Sequence, residues 1–332
     1  MRKAVLLYNP LSGTRRGRRL ADVEAAAAIL RSGGVQISSA PTRAAADAAE
    51  QVREAIAEGC DTVFACGGDG TIHDVLQGLA TTQAALGIIP LGTANALAHD
   101  LGIPLSPTDA ARSALGALTR RVAVGRIEYE DFAGGSRTRY FTVAAGVGVD
   151  AHLFYALNGL VKSRLGMAAY YAKAFHLWMT HRMKRFAVEY RVNAAHEMRR
   201  AELTELLAVR IRYFGGILRE LAPGADLQRN DLRLVLCRTA DRSQYLSYVF
   251  RVALGKSWSV RGIDLVHSNR VLCESLPEER NAARVYVEAD GELLGVLPAK
   301  ISVVPDALTI LMPASTRVVR STFGFPKLLQ EP

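Results

Sequence analysis

The chain has 332 residues, with 41 Lys and Arg against 32 Asp and Glu for a formal net charge of +9. It is 49% hydrophobic and 22% charged, a globular balance with material for two buried cores. No apolar run approaches the roughly 20 residues of a membrane-spanning helix, residues 1–8 are too short an apolar start for export, and no aromatic-basic interleaving of a nucleic-acid binder accompanies the positive charge, which favours anionic ligands or an acidic membrane surface instead. The four cysteines, at 60, 66, 237 and 273, lack metal-ligand spacing and read as reduced thiols of a cytosolic protein.

In chain order, residues 4–8 predict a strand that leaves through Asn9-Pro10-Leu11-Ser12-Gly13. The basic run 14–19 follows, without a P-loop or dinucleotide pattern, and reads as a phosphate-facing loop or a solvated one. Residues 21–31 predict a helix closed by Gly33-Gly34, 35–39 a short strand, and Thr42 opens or caps a helix reaching Glu58. A strand at 62–66 enters Gly67-Gly68-Asp69-Gly70-Thr71, after which the apolar residues from Ile72 to Leu79 have helical spacing. Another strand, 86–89, exits through Gly92-Thr93-Ala94-Asn95 into a helix with Ala96, Leu97 and Ala98. This alternation predicts a doubly wound parallel α/β domain over 1–120, completed by 306–332, with ligands at the C-terminal ends of its strands. Beyond Arg121 the pattern changes. Strands at 122–129, 138–144, 186–192, 203–211, 232–237, 284–287 and 301–304 predict an antiparallel β domain over 121–305, interrupted by one helical insertion at 160–182.

The Gly67–Thr71 turn is the chemical centre of this pattern. Strand, glycine turn and helix N-terminus together make an anion site, because glycines let the backbone approach and the first helical N–H groups face outward. Asp69 would repel a bare phosphate, so its presence points to a metal-bound water or an oriented donor. A tight Asp-Gly turn joining strand to helix is the plainer alternative.

Asn9-Pro10-x-Ser12-Gly13, Thr42, Gly67-Gly68-Asp69-Gly70-Thr71 and Gly92-Thr93-x-Asn95 stand in an order and spacing that resembles the diacylglycerol kinase catalytic-domain family. That family contains soluble bacterial lipid kinases and sphingosine and ceramide kinases. The likeness continues through Ala145-Gly146-Val147-Gly148-Val149-Asp150-Ala151, Leu165-Gly166-Met167-Ala168-Ala169-Tyr170, Phe214-Gly215-Gly216 with Ala222-Pro223-Gly224-Ala225, and Asp290-Gly291-Glu292. The resemblance implies ATP-dependent phosphoryl transfer to a lipid hydroxyl, between a Rossmann-like domain of the NAD-kinase and diacylglycerol-kinase type and a C-terminal β-sandwich. It implies that Asn9, Pro10, Ser12, Gly13, Thr42, Gly67, Gly68, Asp69, Gly70, Thr71, Gly92, Thr93 and Asn95 hold ATP with Mg²⁺. Asp69, Asp290 and Glu292 would carry the chemistry, one of the last two as the base and the other orienting it or a metal. Asp290-Gly291 is also a natural hairpin turn. Asp150 would contact the lipid, or else cap a helix. His73 and His99 read as structural.

Three departures from the family pattern stand out. Arg229-Asn230 replaces an Asp-Gly pair whose Asp helps hold a structural Mg²⁺ in many bacterial members; Arg229 is no ligand, leaving Asp226 or Asp231 as substitutes. Ala96 follows Asn95 where an Asp is usual, which is closer to the sphingoid-kinase pattern. His73-Asp74 replaces Asn-Glu, keeping the acid but shortening it. Diacylglycerol is the default acceptor. The alternatives are a sphingoid base or ceramide, an NAD kinase sharing the GGDGT turn, and a lipid-binding regulatory protein with a decayed site. The expected setting is cytoplasmic and peripheral to an anionic membrane, with a homodimer left open. Residues 160–220 hold 12 Lys or Arg against five Asp or Glu, and the expected membrane face includes Arg182, Lys184 and Arg185.

Overall fold

The computed structural model describes residues 1–10, 16–43, 47–149, 183–192, 197–215, 220–254, 259–277 and 284–314. Four short apolar strands build the first half: β1 (Lys3–Tyr8), β2 (Gln36–Pro41), β3 (Thr62–Gly67) and β4 (Ala85–Pro90). They pair in parallel in the order β2-β1-β3-β4. β3 and β4 are buried along their whole length, as strands covered on both faces are. The chain winds outward from β1 to β2 and then returns to the other side of β1, so the strand order reverses between β1 and β3. Such a switch point opens a crevice at the carboxyl ends of the strands.

The covering helices are α1 (Arg19–Ser32), α2 (Ala48–Ala57), α3 (Asp69–Leu79), α4 (Ala96–Asp100) and α5 (Pro107–Leu115). α1 packs on α5 and α2 on α3. Gly78 sets the second contact, since a Cβ there would lie 2.5 Å from the Ala49 carbonyl oxygen. α5 starts where Ser106 Oγ accepts from the Asp109 amide, with Pro107 as its first residue.

The second half is an antiparallel sandwich. One layer runs β12 (Ile263–Ser268), β11 (Leu232–Cys237), β10 (Glu205–Val209), β7 (Ala144–Gly148) and β14 (Tyr286–Ala289). The other holds β6 (Ser136–Phe141), β5 (Leu118–Glu130), β13 (Arg270–Ser275), β8 (Phe186–Val192) and β9 (Glu197–Leu203). Inward residues of both layers, among them Phe141, Val147, Phe186, Tyr190, Leu206, Leu234 and Ile301, form its own core. β8 alternates buried and less buried positions as a one-faced strand should.

The long strand β15 (Glu292–Met312) joins everything. It leaves β14 through a hairpin, runs antiparallel to β13 and β5, and lays Thr309 and Ile310 parallel to Ala85 and Leu86 of β4. The sequence predicts a strand only at 301–304, punctuated by Pro305-Asp306. The strand instead continues past both residues, because a register shift between Val304 and Leu308 and a left-handed Asp306 (φ 47°) absorb the proline.

Three other expectations change. The predicted strand 138–144 divides into β6 and β7, and 203–211 divides at Thr204. β12, β13 and the helix α6 (Arg242–Ala253), capped by Asp241 on the Ser243 amide at 2.8 Å, are additional elements. The predicted insertion 160–182 and residues 315–332 lie outside the described residues. Among the described residues no helix is long and apolar enough to cross a membrane.

Candidate active site

Four loops emerge at the C-terminal edge of the parallel strands, and short contacts lock them together. The Thr42 amide donates to Tyr8 O at 2.8 Å, and its hydroxyl points to the same oxygen at 3.4 Å, joining the loops after β1 and β2. Leu91 N donates to Gly67 O at 2.8 Å, joining those after β3 and β4. Gly68 and Gly92 meet backbone to backbone, so that a Cβ on Gly92 would sit 2.4 Å from Gly68 Cα. Asn95, buried and left-handed at φ 50°, closes the last loop on itself. Its Oδ1 accepts from Gly92 N and its Nδ2 donates to Gly92 O, both at 3.0 Å. Asn95 therefore shapes the loop, while Thr93 stands exposed at its tip.

Arg19 clamps the same region. It is 2% exposed and donates to the carbonyls of Asn9 at 3.2 Å and Leu91 at 3.1 Å. The sequence reading places it in a basic loop. Its signal is periodic: Arg19 falls on the helix face of Val23, Ala26, Ala27 and Leu30, all buried. Pro10 is exposed beside Asn9. Ser12 and Gly13 lie outside the described residues, as does Asp150.

Asp69 is the first residue of α3. Among the described residues its Oδ1 is buried without a hydrogen-bond partner. Burial pushes its carboxyl above the usual carboxylate range, the Asp290 charge adds to the rise, and the Leu97 and Ala96 amides oppose it. Thr71 folds back beneath the turn, where its Oγ1 would be 2.2 Å from a Cβ on Gly67.

The next turns of α3 face the sandwich. Gln77 forms a peptide-like pair with Tyr140, its Nε2 donating to Tyr140 O and its Oε1 accepting from Tyr140 N, each at 2.9 Å. His73 Nδ1 lies 3.4 Å from Asp290 Oδ2, both groups buried. Asp290, at the β14–β15 turn with φ 50°, directs its carboxylate inward. Oδ1 accepts from Val143 N (2.8 Å) and Ala144 N (3.2 Å), and Oδ2 from Thr142 N (3.1 Å). The same bonds turn the chain between β6 and β7, which is why 138–144 is not one strand. Two residues on, Glu292 is exposed and reaches over the glycine turn, with Oε1 2.7 Å from where a Cβ on Gly70 would be.

Asp74 joins this group, although in the sequence it stands out only as a departure from the family pattern. Burial pushes its carboxyl up to about 6, with Glu292 adding to the rise and His73 and Arg139 opposing it. Asp69 and Asp74 of α3 and Glu292 at the head of β15 thus gather around a glycine-lined anion site, with Asp290 locked behind them.

A doubly wound nucleotide-type sheet fused to a β-sandwich, with carboxylates gathered at the junction, is the architecture of the diacylglycerol kinase and NAD kinase group. Residues 3–127 match the diacylglycerol kinase catalytic domain, and residues 143–312 match the YegS C-terminal NAD kinase beta sandwich-like domain. The chain belongs to the diacylglycerol kinase family, and its class is a kinase. It is 27% identical to a diacylglycerol kinase of Bacillus subtilis (strain 168) over 94% of this chain and 97% of that protein. It is 29% identical to one of Mycobacterium tuberculosis (strain CDC 1551 / Oshkosh) over 94% and 95% respectively. Among solved structures, a candidate diacylglycerol kinase from Bacillus anthracis str. Sterne superposes with a TM-score of 0.71 at 21% identity, covering 93% of this chain and 96% of that one. Yeast NADH kinase complexed with NADH gives 0.51 at 12% identity over 99% and 89%. These two likenesses show the fold alone.

Proposed function

We propose that the chain transfers the γ-phosphoryl group of ATP to the hydroxyl of a lipid alcohol, diacylglycerol by default, in the cytoplasm at an anionic membrane surface. The observation that carries this reading is the buried Oδ1 of Asp69, without a hydrogen-bond partner among the described residues, at the head of a glycine-lined anion site. An oxygen left bare there suits a ligand that brings its own cation. Mg²⁺ bound to the nucleotide supplies neutralisation of phosphate charge, and Asp69 is the residue to hold it. The Gly67–Thr71 and Gly92–Asn95 loops offer backbone to the phosphates, with Asn9 and Thr42 alongside.

Proton transfer divides the late acidic pair. Asp290 is engaged by the amides of residues 142–144, so its part is to fix the hairpin. Glu292 is exposed at the glycine turn and takes the hydroxyl proton as that oxygen attacks the γ-phosphorus and the bond to ADP breaks. A sphingoid base or ceramide is the second reading, favoured by Asn95-Ala96-Leu97-Ala98.

The test is phosphate transfer from ATP to diacylglycerol, sphingosine, ceramide and NAD in parallel. Product from diacylglycerol is expected, with Asp69→Asn lowering kcat by about 10² or more without lowering the melting temperature. Transfer to a sphingoid lipid or to NAD replaces the acceptor. No transfer to any of them, together with vesicle binding, replaces the kinase reading by a regulatory one.

A further inference from the structure

Arg210 heads the fully buried side chains of the described residues. It follows β10, and its guanidinium donates to no carboxylate among the described residues. Nη1 donates to the carbonyls of Arg229 (2.8 Å) and Asp231, and Nη2 to those of Leu227 (2.7 Å) and Ala123 (2.9 Å). Main-chain carbonyls converging on one positive charge are the donor set a hard divalent cation takes. Burial lowers the guanidinium to about 10, with the Asp231, Asp226 and Asp100 charges opposing and Arg229 adding, so it is charged at neutral pH.

The surroundings do not fit the structural Mg²⁺ that the family resemblance implies. Arg229, where a ligand Asp would stand, grips Asp231 through Nε (2.8 Å) and Nη2 (2.6 Å). His267 Nδ1 lies 3.2 Å from the same carboxylate. Asp226 Oδ1 accepts from Gln228 N at 2.8 Å. A cavity of about 230 Å³ beside the cage is lined by Asp100 and Asp226, but also by Arg120 and Arg212. Among the described residues no three His, Cys, Asp or Glu are grouped to hold a metal.

The segment carrying Arg210 touches both sides of the candidate active site. Arg210 N donates to Val143 O at 2.8 Å, and Val143 is one of the residues held by Asp290. Arg212 N and Tyr213 N both donate to Asp100 Oδ1 at 2.9 Å, at the end of α4. The other end of α4 supplies the Ala96 and Leu97 amides that face Asp69.

We propose that Arg210 is a built-in cation: its guanidinium holds the Leu227–Asp231 loop to β5 in place of a bound divalent metal, and so fixes the backbone two and three residues on that grips α4 through Asp100, which makes Arg210 a positioning residue for Asp69. This goes beyond the lipid-kinase reading, and its melting measurements do not depend on that reading.

The first test is thermal melting of the full, metal-stripped chain without nucleotide, with and without millimolar MgCl₂. An occupied metal site would raise Tm by roughly 2–4 °C; no shift is expected, and such a rise overturns the proposal. Arg229→Asp restores a carboxylate but leaves the guanidinium in place, so it too should show no Mg²⁺-dependent rise. A rise in this single variant overturns the proposal, whereas a rise confined to the Arg210→Ala/Arg229→Asp double variant supports it. Arg210→Lys keeps the charge with fewer, non-planar donors. Positioning predicts that kcat of the folded variant falls about tenfold with little change in KM. A lowered Tm with kcat unchanged overturns the positioning role.

Discussion

Asp74 carries a charge whose environment opposes it, and this has a definite sign. Its carboxyl is raised from 3.8 to about 6, so the folded chain holds the proton more tightly than the unfolded one. Stability contributed by this group is therefore present at low pH and lost as pH rises through the window between about 4 and 6. Asp74→Asn should raise Tm at neutral pH by roughly 2–4 °C, with the gain shrinking towards pH 4, as calorimetry across that range will read. Two glycines separate shape from chemistry. At Gly70 an added Cβ meets the far end of the exposed Glu292 side chain, which can swing away. Gly70→Ala should leave stability within about 0.5 kcal/mol while displacing the carboxylate and lowering kcat. At Gly92 the obstacle is the Gly68 backbone. Gly92→Ala should cost about 1–3 kcal/mol and weaken nucleotide binding as well. Melting and steady-state kinetics on the two variants distinguish these outcomes.

Among the elements, α3 matters most because it touches both halves. Gln77 holds Tyr140 by both backbone groups, so Gln77→Ala leaves a donor and an acceptor to find new partners. A loss of about 1–3 kcal/mol in denaturant unfolding is expected. The strand, turn and helix around Asp69 were legible in the sequence, since the apolar run, the glycines and the helical spacing are all local signals. The division of 138–144 was not. Thr142-Val143-Ala144 is good strand sequence, and the bonds that break it come from a carboxylate 146–148 residues further on. The orientation of Asp290 was hidden for a related reason. A hairpin signal says where the chain turns, not which way a side chain at the tip faces. The burial of Arg19 is hidden because a run of charges masks the helical periodicity that places it inside. The same limit applies to Arg210, whose guanidinium partners come from two separate stretches of chain, β5 and the Leu227–Asp231 loop.

For the whole molecule, the basic surface sets the expectation for membranes. Of the residues expected to face lipid, Arg182 lies outside the described residues. Lys184 Nζ donates to Arg284 O at 3.3 Å, and Arg185 lies 3.6 Å from Glu202, an exposed pair of little stabilising worth. Each basic residue near an anionic surface contributes about 1 kcal/mol. Binding to vesicles should therefore rise with anionic lipid content and weaken with salt. Charge reversal at Arg182, Lys184 and Arg185 should reduce co-sedimentation, and unchanged binding across compositions would remove this face from the reading. The reach of β15 has a consequence for biosynthesis. β4 leaves the ribosome early, but Thr309 and Ile310, which cover its edge, are made only after the sandwich that precedes them. Until then the nascent first half presents an open strand edge, a site for chaperones or for unwanted pairing. Once β15 is in place, neither half can come apart without pulling on the other.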